Sequence, residues 1–128
     1  MPETGFISSQ LPGDPDYPAP DGSEIRLLPK MNGGGLCHCT LPGGMTSFAV
    51  RHKNVEEIWY VLSGEGEIWR KLNEKEEVTP LRDAVALTIR SGTSFQFRAA
   101  GSAPLCILIV TMPPWPGPDE AVPVTGLW

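Results

Sequence analysis

The chain reads as an all-β protein, an antiparallel sandwich, barrel or jelly roll, on three observations. Short apolar runs alternate with turn signals along most of its 128 residues. Gly and Pro, 14 of each, leave little room for long helices. No segment sustains a 3.6-residue apolar period with a cap at both ends. The length suits one domain with one core, and no internal repeat or second domain is visible.

Residues 1–23, rich in Pro, Gly, Asp and Ser, read as an extended arm that either frays or wraps a neighbouring subunit. A β-barrel is expected over 24–115. Its first strand is 24–30, followed by a loop through Gly33, Gly34 and Gly35. LCHCTL (36–41) ends at Pro42-Gly43-Gly44, and SFAVRH (47–52) follows. EEIWYVL (56–62) and EIWRKL (67–72) flank Ser63-Gly64-Glu65-Gly66, which signals a hairpin. Strands at 76–81, 84–89, 94–99 and 104–112 complete the set. The tail, 116–128, is too rich in Pro to pair centrally in a sheet, so Trp115 and Trp128 are expected to pack onto the barrel or a partner.

The net charge of −5 repels phosphate backbones, which argues against nucleic-acid binding. The longest strongly apolar run, Leu105 to Val110, falls far short of the ~20 residues of a membrane helix. The N-terminal stretch has neither the basic start nor the apolar segment of a signal peptide. Three cysteines without paired spacings suit a reducing compartment. A cytoplasmic protein without a membrane partner is therefore expected. Gly33-Gly34-Gly35 lacks the Lys-Ser/Thr of a phosphate-binding loop, and no Gly-x-Ser-x-Gly elbow occurs.

One stretch carries a more specific pattern. Gly44 is followed by five residues, then Val50-Arg51-His52; Glu57 comes five positions after His52, and six residues separate it from Gly64. This resembles the first cupin motif, in which Gly, His-x-His, Glu and Gly recur at that spacing. The second cupin motif falls on Ala84, Arg90-Ser91-Gly92, Phe95 and Ala99, where only Gly92 matches. The resemblance spans roughly 24–112. It implies an antiparallel double-stranded β-helix, the jelly-roll barrel of small single-domain bacterial cupins. It also implies a metal site of two His and a Glu from the first motif and a His from the second. Only His52 and Glu57 carry over; Val50 and Phe95 stand at the other two positions.

Alternate residues of a strand share a face, so Phe48, Val50 and His52 are expected to point together, as are Glu57, Trp59 and Val61. With Phe95 and Phe97 they would line a largely apolar pocket carrying one imidazole and one carboxylate, a ligand-binding composition. Three readings of His52 and Glu57 stay open: a structural polar pair, an acid/base pair with the imidazole as proton carrier, or the remnant of a divalent-metal site for Fe, Mn, Ni or Zn. Cys37 and Cys39 share a face opposite His38 and read as small apolar packing groups, while Cys106 reads as core.

The first expectation for function is a metal-free cupin that holds a small organic molecule in the barrel, with His52 and Glu57 isomerising, epimerising or cyclising it. The alternatives are a metal-dependent dioxygenase or isomerase with an unusual ligand set, and a non-catalytic dimeric scaffold or sensor. A homodimer is expected in each case, because pairing covers exposed sheet edges.

Overall fold

The computed structural model describes residues 5–128; the first four residues of the predicted arm lie outside them. Among the described residues eleven strands occur: β1 (Tyr17–Pro18), β2 (Glu24–Lys30), β3 (Gly35–Leu41), β4 (Val50–His52), β5 (Glu56–Ser63), β6 (Gly66–Leu72), β7 (Lys75–Leu81), β8 (Ala86–Ile89), β9 (Ser94–Ala99), β10 (Leu105–Met112) and β11 (Ala121–Pro123). They form two antiparallel sheets, ordered β1-β2-β3-β10-β5-β8 and β11-β4-β9-β6-β7. Late strands lie between early ones in both sheets, as in a jelly roll. Among the described residues no helix is long and apolar enough to cross a membrane.

Period-2 patterning sets the core. On β10, Leu105, Ile107, Ile109 and Thr111 are buried, while Cys106, Leu108, Val110 and Met112 face outward, half-covered. Cys106 is therefore not core: its strand alternates, and it falls on the outer phase. Leu41, Val61, Ile68, Leu81, Leu105 and Ile107 fill the space between the sheets together with the aromatic side chains described below.

The hairpin expected between 56–62 and 67–72 does not form. β5 pairs with β10 and β8, whereas β6 pairs with β7 and β9 in the other sheet. The Gly64–Gly66 segment is a corner between sheets. Gly64 has φ +95°, and a Cβ there would collide with the Pro104 carbonyl. Gly66 lies so close to the Arg98 carbonyl that a side chain has no room. The hairpin lies one strand later, between β6 and β7, where Asn73 takes a left-handed φ of 55°. The strand expected from residue 84 starts at Ala86, because Ala84 itself sits at φ 70°.

Arm and tail fold back on the barrel. The Asp16 carboxylate accepts the Leu27 N–H at 2.7 Å, and β1 pairs with β2. The Arg26 guanidinium donates to the carbonyls of Pro12 and Gly13 at 3.0 and 2.9 Å. At the other terminus β11 adds an edge strand to β4, and the last residues cover the outer face of the five-stranded sheet. There the Trp128 N–H donates to Gln96 Oε1 at 2.9 Å, and Arg98 lies 4.0 Å over the Trp128 ring.

Candidate functional site

His52 closes β4 and Glu57 opens the inward phase of β5, so a short turn brings the two side chains to one end of the barrel. Both are buried, at 5% and 6% exposure. His52 Nδ1 lies 3.9 Å from Glu57 Oε2, too far for a hydrogen bond, and it has no other partner. Glu57 is instead held by its own strand: Trp59, two residues on and on the same face, donates its indole N–H to Glu57 Oε1 at 2.8 Å. Across the sheet Glu57 stands between Thr111 and Ile89. The imidazole is gripped by rings, with Phe95 edge-on at 5.2 Å and Trp115 at 4.9 Å between centroids.

The distance would permit an ion pair, but burial decides otherwise. Desolvation lowers His52 to about 4, with Glu120 pulling weakly the other way. Desolvation raises Glu57 to about 7, opposed by the Trp59 hydrogen bond. Burial thus favours the neutral form of both the imidazole and the carboxyl, which weakens any charge pairing between them. The expected order is thus inverted: the carboxyl, not the imidazole, titrates near neutrality.

A family model described as a cupin domain matches residues 37–111, from β3 to the end of β10. The chain belongs to the cupin family. Its relative MJ1618 of Methanocaldococcus jannaschii, itself uncharacterised, is 32% identical over 111 residues, which cover 83% of this chain and 86% of that one. Among solved structures, Streptomyces PAC13 with uridine superposes with a TM-score of 0.70 at 12% identity, over 93% of this chain and 92% of PAC13. CapF with the inhibitor 3-isopropenyl-tropolone gives 0.68 at 15% identity over 80% of this chain. This chain spans about a third (32%) of CapF. At such identities the two likenesses show the fold alone.

Two of the four positions that the cupin resemblance assigns to metal ligands are taken by other residues. Val50 and Phe95 face inward at two of the four, where neither can donate an electron pair. Among the described residues no group of three or more His, Cys, Asp or Glu is arranged to hold an ion. Cys37 and Cys39 do share the inward phase of β3, paired with Ile109 and Ile107. Burial pushes the Cys37 thiol up to about 12 and the Cys39 thiol well above its ordinary value, so both stay protonated. His38 takes the opposite face of that strand, beside Leu108.

Val50, Trp59, Val61, Phe95 and Phe97 are buried and inward, but they fill the barrel rather than line an open pocket. Trp59 meets Phe97 edge-on at 4.9 Å and Phe95 at 5.9 Å. Phe48 is not part of this interior: it is 69% exposed and lies against Gly22. Regular strand begins only at Val50, and Ala49 and Val50 are buried in succession, so the alternation cannot be run back to residue 48.

Three residues of this end were not assigned to the site from the sequence. Trp115 covers His52. The Glu120 carboxylate accepts the backbone N–H groups of Asn54 and Val55, fastening the tail to the turn between His52 and Glu57. Desolvation would raise its pKa, but these donors hold it below the usual carboxylate range. Asp21, whose carboxylate accepts from the Ser23 N–H at 3.0 Å and hydroxyl at 2.6 Å, is raised by burial. The Asp-x-Ser spacing of an Asx turn was the one legible signal for it. For Trp115 the Pro-rich tail predicted packing onto the barrel without naming His52 as what it covers, and for Glu120 no signal exists.

Proposed function

We propose that this cupin binds a small ring-bearing organic molecule at the His52–Glu57 end of its barrel and exchanges a proton with it through Glu57, without a metal ion. The observation that carries the reading is the buried His52 Nδ1, which has no partner and faces a carboxyl 3.9 Å away. A buried unpaired nitrogen is costly, and a ligand hydroxyl or carbonyl reaching both groups would satisfy it. Glu57 supplies the proton, since its raised pKa matches neutral operating pH. His52 fixes the ligand by a neutral hydrogen bond, and Trp115 must swing aside to admit it. Isomerisation, epimerisation or cyclisation fits one proton carrier next to one neutral acceptor. The ring-bearing ligands named for PAC13 and CapF agree with this class of molecule.

Saturation-transfer NMR against sugars, nucleosides and hydroxy-aromatic compounds tests the reading. Ligands of the wild type are expected to be lost in both His52→Ala and Glu57→Gln. Retention of binding in both variants, or no ligand at all, overturns it. Metal analysis after growth with added Fe, Mn, Ni and Zn is expected to find well below one ion per chain. The edge-to-face packing that fills the barrel favours one second reading, a non-catalytic scaffold, and the same screen separates the two.

A further inference from the structure

We infer that the outer face of the five-stranded sheet holds a second binding site, for a small carboxylic acid, between the C-terminal tail and the β6–β7 hairpin. It lies outside the barrel and does not rest on the reading of His52 and Glu57. Alternation along β6 turns Ile68 inward and leaves Trp69 and Lys71 on the outer face. Trp69 is nonetheless only 5% exposed, and its buried indole N–H finds no acceptor among the described residues. Its two cross-strand neighbours explain why. Val78 is apolar. Gln96 is engaged elsewhere: its amide nitrogen donates to the carbonyls of Ser47 and Trp128 at 2.9 and 3.2 Å, and its oxygen accepts the Trp128 N–H at 2.9 Å. A buried N–H left without a partner is costly, so an acceptor from outside the chain is its natural complement.

The groups around that N–H select the acceptor. Trp69 forms part of a groove of about 430 Å³, within the size range of small-molecule sites. Lys71, Asn73, Ser94 and Thr125 line it with one ammonium, one amide and two hydroxyls. In the strand register Lys71 stands between Ser94 and Glu76. Although Glu76 is directly opposite, Lys71 makes no ion pair among the described residues, so its charge is open to a ligand. Donors therefore dominate, one of them cationic, which suits an anion with more than one acceptor oxygen. Glu76, the one carboxylate on the groove, repels a doubly charged phosphate more than a singly charged carboxylate. The tail closes one side. Gly126 lies so close to Gln96 and Ala49 that a Cβ would collide with both, which lets the backbone settle onto the sheet. The tail is tied at Val124, whose N–H donates to the Ala49 carbonyl at 3.1 Å, and again at Trp128. Between the ties Leu127 is 49% exposed, so little holds it down. Lifting its side chain opens the indole N–H to a carboxylate oxygen that Lys71 holds from the other side.

The test follows the four indole N–H resonances of the ¹⁵N-labelled full chain during titration with lactate. The Trp69 signal, assigned by its loss in Trp69→Phe, is expected to move downfield and saturate at about 1–10 mM, as for a few charge-assisted hydrogen bonds. Triple-resonance assignment identifies the signal if Trp69→Phe does not fold. Lys71→Ala, at an exposed position, is expected to keep the folded spectrum and to weaken binding by about tenfold or more. Glycerol, similar in size but without a carboxylate, should leave the resonance in place. Inorganic phosphate should bind more weakly than lactate and gain in Glu76→Gln. A ligand of the His52–Glu57 end would move the Trp115 signal instead, which keeps the two sites apart. A Trp69 signal indifferent to lactate, an unchanged affinity in Lys71→Ala, a response to glycerol equal to that to lactate, or phosphate bound as tightly as lactate each overturns the proposal.

Discussion

In the middle of the barrel, Trp59, Phe95 and Phe97 meet edge to face and leave no polar atom unanswered. Two residues before Trp59 on β5, and two residues past Val50 on β4, stand Glu57 and His52, which are also buried but only partly satisfied. The first region is held by shape. The second holds two ionisable groups that burial drives toward neutrality, and a tail keeps them out of water. A buried polar pair that adds little to stability is what a barrel keeps when the position has another use.

The largest effect should come from the middle. Phe97→Ala is expected to cost about 3–5 kcal/mol in urea unfolding, as the loss of a fully buried ring that its neighbours cannot fill. Next comes the pH dependence, in which the site's two groups oppose each other. The unfolded chain binds more protons at His52 between pH 4 and 6.5, so that group makes stability rise with pH across this window. The folded chain binds more protons at Glu57 between pH 4.5 and 7, so that group makes stability fall. The wild type should be nearly flat with respect to this pair. Glu57→Gln should unmask a rise from pH 4 to 6.5, and His52→Phe a fall from pH 4.5 to 7. Each slope amounts to on the order of 2–3 kcal/mol across its window, and thermal unfolding against pH measures it. Flat profiles in both variants would remove the distinction between the two regions.

A smaller loss is expected where the tail is fastened. Glu120→Ala leaves the Asn54 and Val55 N–H groups without their acceptor, which should cost about 1–3 kcal/mol and speed their hydrogen exchange ahead of the core amides. The smallest change is set by Phe48, aromatic but outside the barrel. Phe48→Ala is expected to stay within about 0.5 kcal/mol of wild type, where an inward Phe would cost several-fold more.

Much of the fold was legible because alternation along a strand is a local property. The inward phase of Glu57, Trp59 and Val61 on β5, and of Phe95 and Phe97 on β9, follows from period 2 once the strands are placed. Phe48 was misplaced because the period was extended past the end of a strand. Cys106 was misplaced because a continuous apolar run hides its own alternation. The turn at Gly64 was visible, but a turn does not say whether the next strand pairs with the last one or leaves for the other sheet. Carbonyls of Pro104 and Arg98, about forty and thirty residues away, closed off that choice.

The sequence by itself determined an all-β barrel, the inward phase of β5 and β9, and the convergence of one imidazole with one carboxyl, since each depends on spacing along a few residues. Only the tertiary structure decided that His52 lies beneath Trp115, that Trp59 rather than His52 holds Glu57, and that the carboxyl rather than the imidazole titrates near neutrality. Charge state and access are set by how much water reaches a group, and water is excluded here by segments that meet only after the chain has folded.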